Sequence, residues 1–175
     1  MNILVVTGSP RKNGNTEIMA EEFARCATEI GHQVTIRKLS IDKVGPCIAC
    51  QYCFTHDGVC VQNDDMNDIL NDLNQADMLV IASPIYWFDV SAQTKCFIDR
   101  MYALAKKGFH IQSIAMLLNS GADGVYDAAE KQIRYIASYL NWDLKGIVKI
   151  PNMKEKGSVK DSVELEKVRD FAKSL

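Results

Sequence analysis

The chain has no apolar run approaching the roughly 18–20 residues that a bilayer-spanning helix requires, which excludes a helical membrane anchor. It has no surplus of positive charge either: 20 Lys and Arg stand against 22 Asp and Glu, a net charge of −2. Nucleic-acid binding draws on a basic patch, so no nucleic-acid partner is expected. No basic segment or cleavage site precedes the strand-like residues Met1 to Val6. No secretory signal is read, and a cytoplasmic location is expected. Thiols stay reduced there, so the six cysteines are not a disulfide framework. No Ser, His or carboxylate constellation suggests catalysis by side chains. His32 and His110 carry no functional expectation, and His56 reads as a loop surface residue.

What is present is a regular alternation of strand and helix patterns. Residues 1–175 read as one domain, large enough to bury a core without staples. Ile3–Thr7 is a continuous apolar run, as in a strand buried on both faces. Ile18, Met19, Phe23, Cys26 and Ile30 recur at helical spacing over Thr16–Ile30, and Gly31 ends that helix. Val34–Leu39, Met78–Ala82, Ile114–Asn119 and Leu144–Ile150 predict four more strands. Asp64–Gln75, Ser91–Ala105, Asp127–Leu140 and Asp161–Lys173 predict the remaining helices. The order implies an α/β fold, a doubly wound five-stranded parallel sheet in three α/β/α layers. Ligands of such a fold bind at the carboxyl ends of the strands. Residues 43–62 form a Cys-rich insertion, and Pro151–Gly157 is the only linker-like stretch.

The first turn is the most informative. Gly8–Thr16 reads GSPRKNGNT and packs Ser9, Arg11, Asn13, Asn15 and Thr16 between a strand and a helix N-terminus. Such a turn aims many N–H donors at one spot on the positive end of a helix, where a phosphate is welcome. The P-loop places four residues between its glycines and then a Lys. Here five separate Gly8 from Gly14, Asn15 follows, and the dinucleotide pattern GxGxxG is missing. A terminal phosphate monoester, such as that of FMN, suits what remains. After the third strand, Ser83–Asp89 carries three consecutive aromatics, Tyr86, Trp87 and Phe88, with Pro84 to stiffen the loop. A flat tricyclic cofactor would lie against it; alternatively Trp87 and Phe88 cover the sheet end or meet a second subunit. Lys95 and Arg100 behind it read as solvated or intersubunit charges. Asn119–Gly124 supplies small residues and free amides on the same edge.

Cys47, Cys50, Cys53 and Cys60 lie within 14 residues, as C-x2-C-x2-C-x6-C. Four thiolates so spaced can converge on a [4Fe–4S] cluster. Unligated or redox-active thiols are the alternative, and zinc a lesser one, since its sites usually pair separated CxxC knuckles. Cys26 and Cys96 read as packing residues.

With GSPRKNGNT, the segment SPIYWFDVSAQTKCFIDR and the element order in hand, the chain resembles the NAD(P)H-dependent FMN reductase family of flavodoxin-like proteins. Within it, the iron–sulfur flavoprotein branch is the most similar. The resemblance implies a 2-1-3-4-5 sheet, one non-covalent FMN per subunit and a homodimer or tetramer. It implies that Ser9, Arg11, Asn13, Asn15 and Thr16 hold the phosphate. Pro84, Ile85, Tyr86 and Trp87 would flank the isoalloxazine, and Ser120 and Gly121 reach its pyrimidine side. The expected activity is hydride transfer from NAD(P)H to FMN, with no catalytic side chain. Electrons would pass to a quinone, a flavin or a redox protein, the last by way of a [4Fe–4S] cluster. The alternative is a non-enzymatic electron carrier that exchanges electrons with ferredoxin.

Overall fold

A computed structural model describes all 175 residues. Five long strands form one parallel sheet: β1 (Asn2–Thr7), β2 (Gln33–Lys38), β3 (Met78–Tyr86), β5 (Ser113–Asn119) and β6 (Asp143–Ile150), in the order β2-β1-β3-β5-β6. The two-residue β4 (Asp89–Val90) pairs antiparallel with the end of β3. The five long strands thus take the expected 2-1-3-4-5 order. Five helices flank them: α1 (Asn15–Glu29), α2 (Met66–Gln75), α3 (Ala92–Met101), α4 (Asp127–Leu140) and α5 (Glu166–Lys173). No helix is long and apolar enough to cross a membrane.

Alternation along each strand fills two cores. Leu4, Val6, Leu79, Ile81, Ile114 and Met116 face α2, α3 and α4, while Ile3, Val5, Met78, Val80, Ala115 and Leu117 face α1 and α5. With both faces covered, the central strands β1, β3 and β5 are buried along nearly their whole length, while the edge strands β2 and β6 keep exposed polar positions.

Two sequence expectations change. The third strand leaves β1 at Ala82 but continues four residues further, pairing with β5 as far as Pro84 and with β4 at Ile85 and Tyr86. Pro84 therefore sits in an edge-like position, where a missing N–H is tolerated. What was read as an open aromatic loop is a two-residue hairpin: Tyr86 pairs with Asp89, and Trp87 and Phe88 turn with φ of 51° and 72°. Positive φ at both central positions is the geometry that matches strand twist. For bulky aromatics it costs of order 1–3 kcal/mol each and persists only when surroundings impose it. Here the buried Ile85–Val90 pair and the Asp89 side chain, which accepts from the Val90 N–H at 2.7 Å, impose it.

Candidate functional site

The strand order reverses between β1 and β3, and at such a switch point a crevice opens outside the carboxyl ends. A cavity of about 310 Å³ lies there, lined by the first turn, the end of β3, Asn119–Gly121 and the segment after β6. Close approach builds the turn. Gly8 donates to the Ala82 carbonyl at 2.8 Å and accepts from Ser91 Oγ at 2.6 Å. Ser9 Oγ accepts from the Arg11 N–H at 3.1 Å, and Gly14 donates to the Arg11 carbonyl at 3.1 Å. Asn13 takes the left-handed turn at φ 54°, which Asn tolerates better than most residues. Gly14 then stands at the N-cap of α1 with no side-chain cap. The first N–H groups of a helix have no intrahelical partner, so these donors remain for an anion. Arg11, Lys154 and Lys156 line the cavity, and no carboxylate does.

The structure gathers Ser9, Arg11, Asn15, Thr16, Pro84, Ile85, Tyr86, Ser120 and Gly121 around this cavity. It leaves out two expected residues. Asn13 gives its N–H to Glu17, and Trp87 projects from the hairpin with 93% of its surface exposed. Burial raises the Glu17 carboxyl, but Lys38 and the Asn13 N–H outweigh it and hold the group below its ordinary value. Other members are engaged within the protein. Thr16 Oγ1 donates to Asn119 Oδ1 at 2.6 Å, tying α1 to β5. Ser120 Oγ donates to the Ala122 carbonyl and sits 2.9 Å from the Tyr126 hydroxyl, so its hydroxyl is engaged within the loop. Asn119, from the loop expected on this edge, joins the lining, whereas the sequence reading misses Lys154 and Lys156, which fall in the stretch that reads as a linker.

A second pocket, of about 150 Å³, is lined by all four clustered cysteines. The chain reaches it through left-handed turns at Ala49 and Gln51. Asn67 on α2 clamps Cys60, accepting from its N–H at 2.8 Å and donating to its carbonyl at 3.0 Å. Arg100, expected as a solvated or intersubunit charge, is instead 2% exposed within the chain, and this is a correction. Its guanidinium donates to Asp64, to Cys60 Sγ at 3.1 Å and to the Gly45 carbonyl at 3.4 Å. Burial opposes both charges. Even so, the pairing holds Asp64 below the usual carboxylate range and Arg100 above its usual value. Burial, with the neighbouring cysteine sulfurs, pushes the Cys53 thiol up. No three His, Cys, Asp or Glu groups are drawn together as a single metal ion needs. The four thiols share the lining of one pocket without converging on a common centre.

A family model described as NADPH-dependent FMN reductase matches residues 1–148. The chain is similar to an iron–sulfur flavoprotein of Methanosarcina thermophila, 29% identical over all of this chain and 93% of that protein. It is also similar to an iron–sulfur flavoprotein of Archaeoglobus fulgidus, 31% identical over 85% of this chain and 74% of that one. Of two further archaeal relatives it spans about half, 58% and 46%. Among solved structures, an NAD(P)H:quinone oxidoreductase from Methanothermobacter marburgensis superposes with a TM-score of 0.72 at 16% identity, over 99% of this chain and 96% of that one. That likeness shows the fold.

Proposed function

Because the chain belongs to the NADPH-dependent FMN reductase family, among whose members it is similar to iron–sulfur flavoproteins, we propose that it oxidises NAD(P)H through FMN seated at the β1/β3 crevice and passes the electrons on through the four-cysteine pocket. One observation carries this reading: an uncapped helix N-terminus opens into a cavity that holds three cations and no carboxylate. FMN, when bound, supplies hydride acceptance and the release of electrons singly or in pairs. Arg11, Ser9 and the first N–H groups of α1 would hold its phosphate, with Arg11 giving the charge-assisted bonds. Pro84, Ile85 and Tyr86 would form the wall against the ring and keep water from it. Gly121, without a side chain, would let the backbone of the opposite loop come close to its edge. No imidazole or carboxylate lines the cavity, in keeping with chemistry that belongs to the cofactor.

Cys47, Cys50, Cys53 and Cys60 would ligate a [4Fe–4S] cluster, which stores one electron at a time. Arg100 would then hold Cys60 Sγ in place and offset negative charge on the sulfurs. Trp87 and Phe88 on the hairpin, and Ile48, Val59 and Val61 on the cysteine loop, are exposed apolar side chains that a second subunit or a redox-protein acceptor would cover.

Anaerobically purified protein, assayed for flavin, iron and sulfide, tests the reading together with steady-state NAD(P)H oxidation against a quinone or ferricyanide. Bound FMN and turnover are expected. Bound FMN and iron without NAD(P)H oxidation would make the chain an electron carrier. A colourless protein indifferent to added FMN would sink both.

A further inference from the structure

Asn15 is placed to bind phosphate, yet its side chain is already committed. Its Nδ2 donates to the carbonyls of Met153 at 3.1 Å and Glu155 at 2.8 Å, and its Oδ1 accepts from the Val159 N–H at 3.1 Å. An Asn amide has two protons to give, and both go to one segment some 140 residues downstream. The Met153 N–H donates to the Ser120 carbonyl at 2.8 Å, so the same segment is pinned to the loop after β5. It turns back at Gly157, φ 80°, and Ser158 Oγ donates to the Glu155 carbonyl at 2.9 Å. Residues 153–159 therefore cross the crevice from the β5 loop to the N-terminus of α1. Side-chain alternation along this crossing is functional in its pattern: Lys154 and Lys156 line the cavity with Arg11, and Glu155 between them does not. The Lys154 stem packs over Gly121, where an added Cβ would lie 3.5 Å from Lys154 Cγ.

We propose that residues 153–159 are a cofactor strap, fastened by Asn15, whose Lys154 and Lys156 bind the anionic end of a phosphate monoester. The inference rests on the FMN reading above and adds to it a fourth wall that no strand edge supplies. The Asn15 side chain acts in positioning: its amide is spent on the strap and sets where the two ammonium groups sit. With Arg11, three cations face one dianion, and each charge-assisted contact is worth roughly a ten-fold change in affinity.

The test titrates apoprotein with FMN and with riboflavin, which lacks the phosphate, by flavin fluorescence. Lys154→Gln with Lys156→Gln should weaken FMN binding by roughly a hundred-fold, flatten its salt dependence and leave riboflavin binding unchanged. Both lysines are exposed, so this variant keeps the fold. Asn15→Ala should weaken FMN binding about ten-fold and speed amide exchange at Val159 and Met153. FMN affinity within two-fold of wild type in the double-lysine variant would overturn the strap, as would equal losses for FMN and riboflavin. Wild-type protein that binds neither flavin would remove the FMN reading itself, and the strap with it.

Discussion

A methyl group at Gly8 would lie 1.8 Å from Thr94 Oγ1, inside a buried set of hydroxyls in which Thr94 Oγ1 donates to Ser83 Oγ at 2.9 Å. Neither the turn nor α3 can move without breaking that set. Gly8→Ala should cost about 1–3 kcal/mol through overpacking, read by urea unfolding, and should weaken FMN binding by displacing the turn; unchanged stability would show that the contact relaxes freely. Arg11 is different. Its side chain is exposed and makes no hydrogen bond within the protein, so Arg11→Ala should leave the unfolding midpoint alone while raising the FMN dissociation constant about ten- to hundred-fold. Intact FMN binding in that variant would count against the phosphate assignment. These two residues were legible in the sequence because their chemistry is local: a glycine in a strand-to-helix turn and a guanidinium beside it. Asn15, Lys154 and Arg100 were not. Asn15 looks like a phosphate ligand until its partners at Met153 and Glu155 are known. Lys154 sits in a stretch that reads as solvated linker. Arg100 looks like a surface charge until Asp64 and Cys60 are found against it. Each depends on a contact between distant parts of the chain, which periodicity does not carry.

At the level of elements, α1 and α5 are tied by a charge cluster. Glu22 on α1 pairs with Arg25 on its own helix and with Arg169 on α5. Hydrogen bonding from Arg25, and then from Arg169, outweighs burial and brings the Glu22 carboxyl from 4.5 down to about 2. The folded value lies below the unfolded one, so the contribution is fully present above about pH 4.5 and is lost as pH falls from there toward 2. Wild-type stability measured by denaturant at a series of pH values should therefore fall across that window, and Glu22→Gln should show a shallower fall. An identical slope in the variant would mean that Arg25 and Arg169 hold Glu22 no better in the folded state than in the unfolded chain. Where an element is defined by its own apolar stripe, its boundaries were legible: α4 runs from Asp127 to Leu140 as its periodicity predicts. Where tertiary contacts decide, they were not. The last helix begins only at Glu166, because Ser158–Leu165 is spent on two 3-10 turns, the first of them on the strap, that bury Val159 and Leu165 against α1.

Taken whole, the molecule sets two pockets at opposite ends of one helix. Ser91, the N-cap of α3, holds the Gly8 carbonyl beneath the first turn, and Arg100, in the last turn of α3, holds Cys60 at the thiol pocket. Ten helical residues span about 15 Å, so α3 fixes the spacing between the two sites as a rigid strut. The doubly wound parallel sheet was legible from alternation and its strand order from the family resemblance, whereas the thiol pocket was legible only as spacing, because its walls come from α3 as well as from the loop. The two pockets share no lining residue. The cofactors proposed for them should therefore be separable by mutation. Cys50→Ser with Cys53→Ser should abolish bound iron and brown colour in anaerobically purified protein while the yellow flavin spectrum persists. Arg100→Gln should also lower iron content, and breaking a buried ion pair should cost about 3–5 kcal/mol in stability. The order of these effects is diagnostic. If thiol replacement removes the flavin as well, the strut does not insulate the sites; if iron survives both thiol replacements, the pocket is not its ligand set.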